Sequence, residues 1–306
     1  LNVSGLAAGV PGIADGDQRF LVVGHGLLII GLAFKLSLVP LHMWTPDVVQ
    51  GAPAPVSGYL ATVSKAAVFA FLMRYIFESD AVTYPAILQV LAFVAVLSMV
   101  VGNLLALRQR NLKRLLAYSS IAHAGYLIIT VIVLVTVVGF RESAEAAMFY
   151  LVGYTLMTLV AFGVVGVLSL PSESADAESP SAYQGLFWRH PVLGTILSLA
   201  LLSLAGIPLT VGFIAKFYLF TVGIEGGLWI LVWALVLGSA IAIYYYLRAI
   251  LAMTQKPLEL SGSVNTVLPL GSMSVLVVLG LLILGFGVYP SPLIEVIRIS
   301  LGVLGG

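Results

Sequence analysis

Residues 56–77 read VSGYLATVSKAAVFAFLMRYIF. As a helix this stretch rises about 33 Å, enough to cross the ~30 Å hydrocarbon layer of a bilayer. Lys65 stands near its centre and Arg74 near its end. Comparable apolar runs occupy roughly 20–40, 85–107, 115–137, 146–170, 191–223, 228–250 and 267–289. The whole chain of 306 residues is 60% hydrophobic and only 9% charged, with a mean hydropathy of +1.11. A soluble domain needs far more polar surface. A membrane β-barrel would instead show ten-residue alternating segments, which are missing from the sequence. The reading is all-α: a polytopic transmembrane helical bundle of about eight helices.

The net charge of +1 points to no particular partner. With no cysteine, disulfides, thiolate metal sites and cysteine-bound Fe–S clusters are excluded. No phosphate loop, dinucleotide fingerprint or haem-attachment motif occurs, and no metal site is expected. Residues 1–19 read as a non-membrane segment without the basic region of a signal peptide. The chain opens on Leu1 rather than methionine, so an N-terminal part is expected to be missing. The stretch 171–185, rich in serine and acid, reads as a flexible surface connection. Arg108, Arg110, Lys113, Arg114, Arg189, Arg248 and Lys256 fall on one side of the predicted spans, and Arg19, Arg74, Arg141 and Arg298 on the other. Seven cations against four place the first group in the cytoplasm and both chain ends outside. The cluster from Arg108 to Arg114 reads as a topology signal and headgroup contact. Asp47 reads as a capping or loop residue, and Arg74 and Glu78, four residues apart, as an exposed pair.

Two places break the helical pattern. One is the run from Pro40 through His42 and Pro46 to Pro53 and Pro55; the other is Gly206–Ile207–Pro208 inside 191–223. Proline removes a backbone donor and clashes with the preceding turn. In a bilayer the freed carbonyls must then find protein or water partners. Each break lies within nine residues of a lysine, and broken helices beside a charge point to a transport site.

Of the fourteen Lys and Arg residues, eleven lie at span ends or in loops. Lys35, Lys65 and Lys216 lie well inside apolar spans. A charge at that depth costs roughly 2.5–3.5 kcal/mol on insertion scales. Lysine can give up its proton when buried, whereas arginine cannot. The three lysines therefore read as a path for protons or cations. The structural alternative is that each snorkels to an interface or binds a backbone carbonyl. All thirteen Asp and Glu residues lie in loops or near span ends, which leaves the lysines without an acidic partner in mid-span. Water, a missing segment or a neighbouring subunit would have to supply one. His123 sits in a polar stripe with Tyr118, Ser119, Ser120 and Tyr126, Ser119 sharing its face by spacing. It reads equally well as a proton relay or as a bond to an adjacent helix. His25, flanked by Gly24 and Gly26, reads as close helix packing, and the role of His42 is open.

Three stretches resemble one known family. FKLSLVPLHMWTPDVVQGAPAPV and its continuation to Arg74, RNLKRLLAYSSIAHAGYLIIT (Arg110 to Thr130) and GIPLTVGFIAKFYLF (Gly206 to Phe220) are similar to the antiporter-like subunit N (subunit 2) of respiratory complex I, NADH-quinone oxidoreductase. TPDVVQGAPAPV, from Thr45 to Val56, favours subunit N over the other antiporter-like subunits and over the multi-subunit sodium/proton antiporters. The resemblance covers roughly 20–255. It implies an antiporter-like inverted-repeat fold with two discontinuous helices. Residues 20–77 would then be a remnant of the first repeat, 85–250 the second repeat, and 267–289 a C-terminal transmembrane helix. It also implies proton-transfer roles for Lys35 on the first broken helix, Lys65 as the bridge between half-channels, Lys216 on the second broken helix, and His123 between them. The family's glutamate partner of Lys35 lies on an earlier helix, which would belong to the N-terminal part expected to be missing. The expected function is a proton-translocating subunit of an NADH:quinone oxidoreductase in the bacterial inner membrane. NADH, FMN, Fe–S clusters and quinone would all lie in partner subunits, and no cofactor in this chain. The other membrane subunits of the complex and the lipid bilayer are the expected partners, and nucleic acid is not. A cation/proton antiporter subunit of Mrp type, independent of NADH, is the alternative; a scaffold with vestigial lysines is a second.

Overall fold

The computed structural model describes residues 15–79, 85–135, 140–169, 180–256 and 270–304. All regular secondary structure among them is helical. Among the described residues, six helices are long and apolar enough to cross a membrane: Ala54–Glu78, Ala86–Leu107, Leu112–Val133, Arg141–Ser169, Trp229–Thr254 and Leu270–Val288. Two further apolar stretches form shorter helices, Val23–Leu36 and Pro191–Ala205. The expected count of about eight spans thus meets six full-length ones. The difference lies at 20–40, which ends early at Leu36, and at 191–223, which is divided into two helices of 15 residues each.

In chain order, α1 (Asp15–Leu36) is followed by a turn and by α2 (Trp44–Gly51), α3 (Ala54–Ala61) and α4 (Val63–Glu78). The turn is pinned from several sides. Ser37 adopts φ +66°, its Oγ accepts from Thr45 at 2.6 Å, and the Val39 amide donates to Ser98 Oγ at 2.9 Å. Pro53 precedes α3 and Pro55 occupies its first turn, where no amide donor is needed. Helices α3 and α4 are nearly continuous, interrupted only at Thr62 (φ −115°, ψ −85°). The Thr62 hydroxyl donates to the Gly58 carbonyl at 2.6 Å, an acceptor it shares with the Thr62 amide at 3.1 Å. Neither proline nor glycine marks this interruption, and the sequence reading missed it.

Then come α5 (Pro85–Leu107), α6 (Leu112–Val133), α7 (Phe140–Ser169), the single turns α8 (Pro180–Tyr183) and α9 (Leu186–Arg189), α10 (Pro191–Ala205), α11 (Val211–Glu225), α12 (Trp229–Thr254), α13 (Leu270–Val288) and α14 (Ser291–Leu304). Most of the stretch expected to be a flexible connection, 171–185, lies outside the described residues, as does most of 1–19. Helix α14 follows the expected last span and was not foreseen. It buries Leu293, Ile297 and Leu301 along one face and docks on α7 through Arg298, which donates to both carboxylate oxygens of Glu145 at 2.9 and 3.1 Å.

Helix α6 is the axis of the fold, and 94% of its apolar window is buried inside the protein. Apolar helices gain little from one another in lipid, so backbones approach through small residues. A Cβ on Gly102 of α5 would lie 2.8 Å from the Ala122 amide, and one on Gly125 of α6 would lie 2.9 Å from the Ala95 carbonyl. The α6 N-terminus is held by α2 and the link after it: Arg114 pairs with Asp47 at 2.6 Å, and Lys113 Nζ donates to the Ala52 carbonyl at 2.6 Å. Lys113 is 1% exposed, so it is a buried tie rather than the expected headgroup contact. Asp47 lies in the first turn of α2, and Arg74 pairs with Glu78 at 2.8 Å as the spacing predicts.

The segment Gly206–Thr210 between α10 and α11 is held just as closely. A Cβ on Gly212 would fall 1.8 Å from the Ser203 carbonyl oxygen, and one on Gly287 of α13 would fall 2.4 Å from Thr210 backbone atoms. Gly285, two residues earlier on the outer face, has nothing within 4 Å. Replacing Gly287 by alanine is expected to destabilise the protein by about 1–3 kcal/mol through overpacking, while Gly285→Ala is neutral or slightly stabilising. Thermal unfolding of the two variants in detergent checks this; equal midpoints would remove the close approach at Gly287.

Candidate functional site

Helix α6 carries several buried polar side chains along its length. Ser120, His123 and Tyr126 are spaced three residues apart, so they stack on one side of that helix. At one end of the stack, Lys65 donates to Ser120 Oγ at 2.6 Å. It reaches there from the first turn of α4, just past the Thr62 interruption, and is 7% exposed. At the other end, the Lys216 ammonium lies 5.7 Å from the centre of the Tyr126 ring. His123 stands between them, 2% exposed, with its ring centre 5.5 Å from that of Tyr126. The sequence reading paired His123 with Ser119, whose hydroxyl instead bonds its own helix at Leu116. Ser120 is the residue that Lys65 reaches.

Lys216 closes the end of another helix. Its Nζ donates to the carbonyls of Leu204 at 3.0 Å and Ala205 at 2.9 Å, the last two residues of α10. Those carbonyls have no intrahelical donor, and the negative end of the helix dipole gathers there. Gly206 makes the approach possible. It turns the chain at φ +87°, and a Cβ on it would lie 2.9 Å from the Lys216 side chain. Glycine meets both demands at this position.

A second layer surrounds the line. Tyr150 Oη and His123 Nδ1 lie 2.7 Å apart, and the Tyr154 ring is centred 5.1 Å from that of His123. Asn103 of α5 donates to Tyr126 Oη at 2.9 Å and accepts from Tyr245 at 3.1 Å. Gly238 of α12 leaves the space: a Cβ there would lie 2.6 Å from Tyr126 Oη. Beside Lys65 a cavity of about 10 Å³, lined by Thr62, Ser120, His123 and Tyr154 among others, has room for about one water. The buried hydroxyl of Ser198 has no protein partner.

Lys35 stands apart. It occupies the last turn of α1 and is exposed, whereas the sequence placed it deep within a span. Helix α1 packs mainly against α4, where His25 bonds the Tyr75 hydroxyl, and its other face, with Phe20, Leu27 and Phe34, is uncovered. His42 is buried in the turn between α1 and α2, 6% exposed. No ion pair among the described residues involves Lys35, Lys65 or Lys216.

The sequence reading missed Asn103, Tyr150, Tyr154 and Tyr245. Asn103 is an amide inside an apolar span, and Tyr150 and Tyr154 share a face at four-residue spacing; both are signals visible in the sequence. What the sequence could not show is that three different helices bring these groups to α6.

Among solved structures the chain is similar to one of respiratory complex I from Thermus thermophilus, at 37% identity and a TM-score of 0.75, covering 90% of this chain and 58% of that one. It is similar to a chain of the membrane-bound sulfane sulfur reductase, an archaeal respiratory membrane complex, at 28% identity and a TM-score of 0.77, covering 91% and 55%. A chain of the Mrp complex from a Dietzia species shares the fold, with 18% identity, a TM-score of 0.78 and coverage of 90% and 58%. This chain thus spans a little over half the length of each. The model of the NADH:quinone oxidoreductase/Mrp antiporter transmembrane family matches residues 13–242. The chain, a multi-span helical membrane protein, belongs to that family.

Proposed function

We propose that this chain is a proton-translocating membrane subunit of a respiratory NADH:quinone oxidoreductase of the subunit N type, located in the bacterial inner membrane with both ends of the chain outside. The observation that carries the reading is the buried line Lys65–Ser120–His123–Tyr126–Lys216 along α6. A lysine at each end can hold or release a proton, and the histidine between them can pass one on. The small cavity beside Lys65 has room for a water that can bridge part of the line. Lys35, exposed at the end of α1, would meet its acidic partner on another segment or subunit. The stretch 20–77 belongs to the first antiporter-like repeat and 85–250 to the second, with α10–α11 as the broken helix of the latter. Quinone reduction in partner subunits supplies the drive, because moving one charge against the membrane potential costs about 2.3 kcal/mol per 100 mV. The redox cofactors belong to those partners, and this chain contributes the proton path.

The likeness to the Mrp complex favours one other reading, a cation/proton antiporter subunit that works without NADH. Proton uptake per NADH oxidised, measured in inverted membrane vesicles, separates the two. With Lys65→Ala, uptake per NADH is expected to fall at least twofold while the complex still assembles. Unchanged uptake and oxidation would make Lys65 structural, and uptake that needs no NADH would favour the antiporter.

Lys216→Arg tests the other end. Arginine keeps the positive charge and the donors for the Leu204 and Ala205 carbonyls but does not release its proton. Assembly is expected to survive while uptake falls about as far as with Lys65→Ala. Full uptake with arginine would show that Lys216 only caps α10.

A further inference from the structure

A large cavity opens away from the lysine line and shares no lining residue with the small one beside Lys65. Its volume is about 710 Å³, within the range of about 300–1,000 Å³ typical of small-molecule sites. It lies between the α5–α6 connection, the start of α6, α10 and the end of α12. The wall is graded. Leu115, Leu197, Leu201 and Met253 are buried and form an apolar floor. Arg110 and Arg248 are exposed and stand at the mouth. Arg248 is fixed in place by donating to the carbonyls of Leu107 at 2.9 Å and Gln109 at 2.7 Å, and no carboxylate pairs with it among the described residues. No Asp or Glu lines the cavity among the described residues.

The position of the mouth is also marked. It opens at the end of the bundle that carries Lys113, Arg114 and Arg189. Trp188, 63% exposed, leans on the end of α12 there and donates its indole N–H to the Thr254 carbonyl at 2.9 Å. Exposed tryptophan and arginine at one level of a membrane protein mark the headgroup zone. Two exposed arginines beside a buried apolar wall match one chemical class: an anionic head joined to a hydrocarbon chain.

We propose that this cavity is a binding site for an anionic phospholipid, its phosphate held between Arg110 and Arg248 and one acyl chain lying on Leu115, Leu197, Leu201 and Met253. A zwitterionic lipid offers the same chain, but its own cation opposes the two arginines. The site does not depend on how protons move, and its occupant would fill the space between α10 and α12 as a structural lipid.

The test is lipid retention by the membrane complex containing the full chain, isolated in detergent, delipidated and titrated with phosphatidylglycerol or phosphatidylcholine of identical acyl chains. Native mass spectrometry counts the bound lipid. The wild type is expected to hold one more phosphatidylglycerol than Arg110→Glu, with the affinity at that site at least fivefold weaker in the variant, since each cation at an anionic surface is worth about 1 kcal/mol. Leu201→Trp, which fills the floor without changing charge, is expected to lose the same single lipid; it serves as the test if Arg110→Glu fails to assemble. Equal retention by wild type and both variants would overturn the proposal, as would equal occupancy by phosphatidylcholine. Displacement by inorganic phosphate would identify a simple anion site, and displacement by a quinone analogue an uncharged ligand; either overturns it.

Discussion

Hydrocarbon offers nothing to a backbone carbonyl at the end of a helix or to an ammonium in mid-span, and one contact in this protein answers both needs. Lys216 supplies donors to Leu204 and Ala205, and they supply acceptors to Lys216. Either alone would be an unpaired group in a medium of low dielectric constant, at a cost of several kcal/mol. Together they allow a helix to end inside the bundle. The surrounding features follow: Gly206 with its left-handed turn, the close seat of Gly212 against Ser203, and Gly287 against Thr210. The polar face of α6 is placed by the same contact, because the ammonium that closes α10 also sits over Tyr126.

Much of the fold was legible because a bilayer tests sequence harshly. Spans predicted at 85–107, 228–250 and 267–289 match Pro85–Leu107, Trp229–Thr254 and Leu270–Val288 within a few residues. Hydropathy is the only signal needed for that, and it is strong. The interruption at Thr62 was invisible, since threonine is ordinary in a membrane helix and no proline or glycine stands there. Helix α14 was missed for the opposite reason: its apolar residues form one stripe rather than a continuous run.

The candidate site divides along the same line. Two of its lysines and His123 stood out as costly residues in apolar surroundings, a property of the local sequence. Lys35 shared that property, yet its surroundings depend on what packs against α1, and no local pattern gives that. The choice of Ser120 over Ser119 turns on the direction from which Lys65 approaches, a fact of tertiary packing. Tyrosines such as Tyr150 and Tyr245 read as core fillers until a partner across the bundle gives their hydroxyls a role.

The glycine at 287 has a mechanical meaning. Where a side chain stands between two backbones, a change of rotamer can absorb small displacements; where glycine lets the backbones touch, nothing does. The 206–210 turn and α13 are therefore in direct backbone contact, and α13 leads within two residues into α14, which Arg298 fastens to α7. The outer side of α13 is a bare row of aliphatic residues, among them Val275, Val278 and Leu281. Pressure on that outer wall is transmitted, without a cushion, to the turn that the Lys216 ammonium holds shut.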